Sequence, residues 1–168
     1  MKVPSKREAG STVLEFVLIG IAMIFMIICL FEISRGLWAY HTLAYAIREG
    51  TRYAAMHGKD CASPNTCTVT IGNIVTQMKS AGGGFDPDNT TLTFTPQSGS
   101  ATSDTLTNLA SSTTKFPPST AYAQGNTVQI SSKYKFKTIL AMLWFGGPAI
   151  NDSGTFYLTA SSTELIQF

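Results

Sequence analysis

The residue whose position most needs a chemical explanation is Glu15, a carboxylate inside a long apolar run. Residues 13–31 are nineteen in number, and Glu15 is the only one that carries a charge. At about 1.5 Å rise per residue, such a helix crosses the roughly 30 Å hydrocarbon core of a bilayer. A charge there costs roughly 2–4 kcal/mol near mid-membrane and less towards the interface. Because an ionisable residue in this setting is functional by default, Glu15 indicates a role in assembly rather than in catalysis.

Other residues that could do chemistry lack the neighbours that the chemistry requires. Ser112 and Lys115 match S-x-x-K, but they lie in a Ser/Thr-rich stretch before Phe-Pro-Pro, without the helix that this motif needs. His41 and His57 have no second ligand at metal spacing, so a surface or packing role is favoured. The sequence has no G-x-S-x-G and no H-E-x-x-H motif. We therefore expect no enzyme, no catalytic residue, no metal and no cofactor.

Two glycine- and aspartate-rich segments resemble ligand loops but are better explained as turns. The triple glycine at residues 82–84 is not followed by Lys-Ser/Thr, so the phosphate-loop pattern fails and a hinge or turn is expected. Residues 86–89, Asp-Pro-Asp-Asn, offer oxygen ligands for calcium. The same residue types form turns before strands, and the turn is the favoured interpretation.

Two of the three cysteines flank a short turn-rich insert. Cys61 and Cys67 enclose Ala-Ser-Pro-Asn-Thr. If this side of the membrane is the exported one, the compartment permits a disulfide that closes the loop. Two free thiols, or a metal site lacking further ligands, are the alternatives. Cys29 lies within the apolar run and is interpreted as a small apolar residue.

The composition fits one membrane anchor and one exported domain of ordinary size. The chain has 168 residues, and 13% of them are charged, below the roughly 25% of soluble domains. Lys2, Lys6 and Arg7 precede the apolar run, so the N-terminus is expected to stay cytoplasmic. The run is longer than the core of a secretory signal peptide, and no A-x-A-like site follows it. A net charge of +2 does not favour nucleic acid as a partner.

The helix is expected to continue beyond the membrane, over roughly residues 12–57 and about 70 Å. No proline occurs between Pro4 and Pro64. Apolar and small residues recur at four- and three-residue steps, namely Ile33, Leu37, Tyr40, Ala44, Ile47, Thr51 and Ala54. Such a stripe either covers a core or also packs against neighbouring subunits. Glu32 and Arg35 are three apart and can pair along the helix.

The rest of the chain predicts a second helix and three strands. Residues 68–81 have helical spacing, and residues 91–95, 128–136 and 156–160 alternate between polar and apolar. Between the first two strands, residues 97–126 have little to bury and are expected to form a long mobile loop. Residues 139–145 are apolar and either belong to the core or form an interface. The fold class is therefore α+β, with a long N-terminal helix, membrane-spanning and then amphipathic, packed on a small antiparallel sheet.

The N-terminal pattern resembles a known protein family. Gly10, the small Ser11, and Glu15 as the fifth residue after the glycine, followed by an apolar helix, resemble a type IV prepilin signal. Further segments resemble the TadE-like minor pilins, or pseudopilins, of tight-adherence (Flp-type) pilus systems. These segments are Glu15-Phe16, Phe31-Glu32-Ile33, Arg35-Gly36 and residues 46–55, which hold the motif residues Arg48, Glu49, Gly50 and Arg52.

This resemblance implies a processed pilus subunit. It implies a leader at 1–10, cleavage between Gly10 and Ser11 by a prepilin peptidase, and a transmembrane helix at 11–32 in the inner membrane. Residues 33–168 would form a periplasmic α+β domain, in which 33–57 continue the helix, and Glu15 and Phe16 would act in assembly. The implied partners are the peptidase, other pilins and minor pilins, the inner-membrane assembly platform and the lipid bilayer. The alternative is an uncleaved single-pass membrane scaffold or sensor with an exported binding domain.

Overall fold

A single helix, α1, runs from Lys6 to His57 and comprises 52 residues. The computed structural model describes residues 6–58, 69–138 and 155–167, with side chains from residue 12 onward. The absence of proline from this stretch allows the uninterrupted helix, as the sequence predicts. The remaining elements are α2 (Ile71–Ala81), β1 (Thr90–Pro96), β2 (Thr102–Thr105), α3 (Leu106–Ala110), β3 (Thr127–Lys137) and β4 (Thr155–Leu165).

The four strands form one antiparallel sheet in the order β2-β1-β3-β4. The alternation in β3 decides which side faces the core. Val128, Ile130 and Phe136 are buried, whereas Lys133 and Lys137 on the other side are exposed. This confirms the predicted α+β fold class, in which a long helix packs on a small antiparallel sheet.

The core lies between the inner side of the sheet and the second half of α1, with α2 closing one flank. Its fully buried residues include Leu43 and Ile47 of α1, and Phe94 of β1. Each such side chain stabilises the fold by about 1.5–3 kcal/mol through burial. Gly50 lets the two helices approach closely, because a Cβ there would lie 2.4 Å from Cγ of Met78 in α2.

The predicted stripe on α1 is only partly buried. Ile47, Thr51 and Ala54 are fully buried, whereas Ile33, Leu37 and Tyr40 are exposed, so the interpretation that the whole stripe covers the core is wrong. At the start of the second half of α1, the sheet packs on residues one position earlier in the sequence. These buried residues are Glu32, Ala39 and Leu43.

The prediction of a mobile loop at residues 97–126 is also wrong. This segment forms β2, which pairs with β1, and the short helix α3. Leu106, Leu109 and Phe116 insert into the core, and the Phe116 ring packs edge-on against Phe94 with centroids 5.2 Å apart. Three large side chains therefore attach the Ser/Thr-rich segment to the rest of the domain.

Candidate membrane and assembly site

The first half of α1 presents large apolar side chains to its surroundings. Most of the large apolar side chains between Val13 and Phe31 are exposed, and these two end residues are 63% and 71% exposed. Within the described ranges, α1 is the one helix long and apolar enough to cross a membrane, judged by length and composition. None of its most apolar stretch is buried, which distinguishes it from the core helix of a soluble protein.

Glu15 lies on this exposed apolar segment, beside the exposed ring of Phe16. Gly10 and Ser11 belong to the same continuous helix. Glu15 is four residues beyond Ser11, a rise of about 6 Å along the axis. The structure thus places the predicted cleavage and assembly residues within two turns of one helix, and the cleavage itself stays a prediction.

The exposed apolar side continues beyond the length that a bilayer needs. Leu37, Trp38 and Tyr45 are 55%, 57% and 57% exposed. Between Glu15 and Arg48, the sequence of α1 has only two charged residues, Glu32 and Arg35, and these form an ion pair with each other. Sequence analysis did not single out Trp38 and Tyr45, although their aromatic character beyond the apolar run was a usable signal.

A polar junction joins the end of the apolar run of α1 to the end of β3. Glu32, only 5% exposed, accepts hydrogen bonds at Oε2 from Arg35 Nη2 (2.9 Å) and from Thr138 Oγ1 (3.0 Å). Arg35 also donates to the carbonyl of Lys137 (2.6 Å), and its guanidinium lies 4.5 Å from the ring centroid of Phe136. Helical spacing predicted the Glu32–Arg35 pair, but not its partners more than a hundred residues away.

The four family-motif residues divide into a packing residue and three polar ones. Gly50 is buried against α2, Glu49 is half-buried, and Arg48 and Arg52 are exposed. Arg48 and Tyr40 line an open groove of about 570 Å³ between α1 and the sheet, whose other lining residues are mainly serines and threonines. The groove brings together no acid–base pair or nucleophile with a base.

The remaining candidate residues have structural roles. Ser112 follows the end of α3, and Lys115 lies on an exposed non-helical segment. Asp86 caps the turn at residues 87–89 by accepting from the Asp88 amide and from Asn89 Nδ2, so the turn interpretation is confirmed. In the described ranges, no group of three His, Cys, Asp or Glu side chains is arranged for a metal.

Two further predictions lie outside the described residues. The Cys61–Cys67 disulfide belongs to residues 59–68, and the apolar segment 139–145 belongs to residues 139–154. Both stay predictions. Cys29 is a free, half-buried thiol on α1.

One carboxyl group outside α1 has a lowered pKa. The Asn108 side-chain amide (3.0 Å) and the Thr105 backbone amide (2.6 Å) donate to Asp104, and these bonds hold the pKa of Asp104 below its ordinary value. This arrangement stabilises the start of α3, whose N-cap residue is Thr105.

Comparison with known proteins gives one family. A search of the curated proteins and a search of the solved structures find no match. A comparison with models of protein families does find a match. It lies in α1, in the segment that holds Gly10, the exposed Glu15 and the buried Gly50. Residues 10–52 match the family model described as TadE-like protein, which confirms the TadE-like resemblance drawn from the sequence.

Proposed function

We propose that this chain is a minor pilin, or pseudopilin, that α1 anchors in the inner membrane and that takes part in assembly of a tight-adherence pilus. The supporting observation is that the TadE-like match, residues 10–52, covers the part of α1 with an exposed apolar side. The TadE-like pilins form a structural, non-enzymatic family, so the proposal assigns no catalytic residue.

The charges around α1 give the proposed orientation. Lys6 and Arg7 precede the apolar run, and cations of this kind are retained on the cytoplasmic side. The sheet domain would then be periplasmic. A prepilin peptidase would cleave between Gly10 and Ser11, leaving an α-amino group on Ser11 that is protonated at neutral pH.

Glu15 is the proposed partner of that amine. Because the two groups lie about 6 Å apart along the axis, they lie at similar depth in the bilayer. An ion pair within one subunit or between two subunits would reduce the free-energy cost of both charges near lipid. Glu15 would in this way determine the depth and register at which the subunit joins other pilins.

The decisive experiment replaces Glu15 by leucine. Glu15→Leu makes the anchor more apolar, so the protein should still insert and be cleaved, but it should fail to co-purify with other pilins or to restore piliation. Ser34→Leu is the matched control, because Ser34 is an exposed polar residue at the other end of the run, and this variant should assemble normally. Normal piliation by Glu15→Leu would refute the assembly role.

Processing is tested separately by N-terminal sequencing and intact mass. We expect the mature protein to begin at Ser11, and Gly10→Val to retain the leader because a larger side chain blocks access to the scissile bond. A wild-type protein that still begins at Met1, in a host with an active peptidase, would favour the uncleaved single-pass scaffold or sensor.

A further inference from the structure

The outermost strand of the sheet, β4, has a free backbone edge. It comprises the eleven residues Thr155–Leu165, which pair with β3 on one side. No other strand in the described ranges pairs with its second side, because β4 is at the end of the sheet order. About half of the backbone N–H and C=O groups of such a strand point away from its neighbour. β4 contains no proline or lysine that would protect this edge, so a further strand can add to it.

The helix α1 runs beside this edge in the same direction as β4. At one end, a Cβ at Gly36 would lie 3.8 Å from the ring of Phe136, whose pairing partner on β4 is Phe156. At the other end, Arg52 of α1 lines a groove of about 310 Å³ with Glu164 of β4. Gly36 to Arg52 spans sixteen residues, or about 24 Å of helix, and Phe156 to Glu164 spans eight, or about 26 Å of strand. The helix and the strand therefore stay side by side over most of β4.

Two arginines line the space between α1 and the free edge. Arg48 lines the groove of about 570 Å³ together with Ala160 and Ser162 of β4, and Arg52 lines the groove of about 310 Å³. Both arginines are exposed, and neither forms an ion pair with the described parts of the chain, although Glu164 lines the same groove as Arg52. Because they are four residues apart, they lie on one side of α1, separated by about 6 Å along the axis.

This spacing fits an extended strand that has two carboxylates. Side chains two residues apart on a strand lie on the same face, separated by about 6.6 Å. A strand added to the free edge would continue the sheet over this side of α1, and its inward side chains would face Arg48 and Arg52. Two carboxylates separated by one residue would then each meet one guanidinium and accept charge-assisted hydrogen bonds from it.

We propose that the free edge of β4, together with Arg48 and Arg52, docks an extended acidic segment of another polypeptide, which adds to the sheet as a further strand. A second copy of this chain is a poor match, because no strand in the described ranges has two carboxylates separated by one residue. The only carboxylate in β4 is Glu164, and the only one in β2 is Asp104. The inference goes beyond the proposed function and does not depend on it, since the site lies outside the apolar run of α1.

The test measures binding of synthetic peptides to the full chain in detergent micelles. The probe is a fluorescently labelled peptide of alternating threonine and valine, in which glutamates replace two threonines that are separated by one residue. In the comparison peptide, glutamines take the place of the glutamates. We expect the glutamate peptide to bind about tenfold more tightly, the gain expected from two partly exposed ion pairs. This advantage should disappear near 1 M salt, where screening acts within about 3 Å.

Hydrogen exchange followed by mass spectrometry tests for strand addition itself. The glutamate peptide should slow amide exchange in β4 and leave the exchange of β2, at the other end of the sheet, unchanged. A peptide with the same side chains but with N-methylated central amides cannot donate ladder hydrogen bonds, so it should not protect β4. Binding of the glutamate peptide without protection of β4, or equal binding of the N-methylated peptide, would overturn strand addition.

Charge reversal tests the two arginines. Arg48→Glu/Arg52→Glu should lose the preference for the glutamate peptide and should instead prefer a peptide with lysines at those two positions, a gain that misfolding cannot produce. Lys79→Glu/Lys115→Glu is the matched control, because it changes the net charge equally at exposed lysines outside both grooves, and it should keep the wild-type preference. Glu164→Gln should bind the glutamate peptide about twofold more tightly, because it removes a like charge from the groove of Arg52.

The remaining outcomes concern the identity of the occupant. Protection of β4 that rises with protein concentration, without any peptide, would show that a second copy occupies the edge and would overturn the proposed partner. Equal affinity of the wild-type protein for the glutamate and glutamine peptides, or binding of neither, would overturn the docking site. None of these results bears on the membrane anchor or on piliation, which the Glu15→Leu experiment tests separately.

Discussion

Glu32 offers a direct test of how the sheet domain is held on α1. Its side chain is 5% exposed and accepts hydrogen bonds from Arg35 and from Thr138, which follows β3. Replacing Glu32 by alanine removes both acceptor contacts at once. The change lies at the end of the apolar run of α1, so it should loosen the contact between α1 and the end of β3 before it affects the rest of the domain.

The cost of Glu32→Ala can be estimated from the exposure of its partners. Breaking a fully buried ion pair costs about 3–5 kcal/mol. The side chain of Arg35 is 38% exposed, and it keeps its hydrogen bond to the Lys137 carbonyl when Glu32 is removed. The free-energy cost of losing the Glu32–Arg35 ion pair therefore falls towards the value of about 1 kcal/mol for exposed pairs. The Thr138 hydroxyl loses an acceptor, which costs about another 1 kcal/mol. The total is about 2 kcal/mol, or roughly 4–8 °C in Tm for a chain of this size.

The assay is thermal unfolding of the full chain in lipid nanodiscs, followed by near-UV circular dichroism. Glu49→Ala is the control, because Glu49 is a half-buried glutamate on the same helix, and its removal should change stability by about 0.5 kcal/mol or less. A double-mutant cycle of Glu32→Ala with Thr138→Val should give a coupling of about 0.5–1 kcal/mol. Unchanged unfolding of Glu32→Ala, or zero coupling, would refute this account of the junction.

Two further predictions concern the turn after α2 and the insert after α1. Gly84→Ala should destabilise the domain by about 1–3 kcal/mol, because Gly84 has φ +97° and a Cβ there would lie 2.4 Å from the Trp38 ring. Gly83→Ala is its matched control, since nothing lies within 4 Å of a Cβ at that position, and thermal unfolding compares the two. Thiol labelling of unreduced, denatured protein should find only Cys29 reactive if residues 61 and 67 form the predicted disulfide, which would stabilise by about 2 kcal/mol. Three reactive thiols would contradict it.

The alternating strands were the most predictable part of the domain. In β3, the core side and the lysine side could be assigned from the period of two, and the structure confirms both. Pairing partners were not predictable, because a local pattern does not say which strand lies beside which. The register that places Lys135 opposite Tyr157 depends on the whole sheet.

The stripe on α1 shows why apolar periodicity fails at the end of a long apolar helix. Such a helix carries apolar residues on several sides, so Ile33 and Leu37 did not identify the side that meets the sheet. The side of α1 that meets the sheet instead carries a small residue and a hydrogen-bonded polar residue. Ala39 permits close approach of the sheet, and Glu32 becomes compatible with burial through its hydrogen bonds.

The Ser/Thr-rich segment shows a different limit. Its two elements, β2 and α3, have four and five residues, which is too short for either period to be recognised. Their stability comes from tertiary contacts, above all the burial of Leu106 and Leu109. Composition alone indicated disorder because those few apolar residues are diluted among polar ones.

The two glutamates in the lower part of α1 have opposite environments. Glu32 is buried, its charge is paired with Arg35, and its carboxylate also accepts a hydrogen bond from Thr138. Glu15 is exposed on an apolar surface and makes no ion pair or side-chain hydrogen bond with the part of the chain that the structure describes. A carboxylate that lipid would surround is costly unless a partner reaches it. The partner in our proposal is the amine that cleavage creates on Ser11, so processing and assembly would depend on the same charge pair.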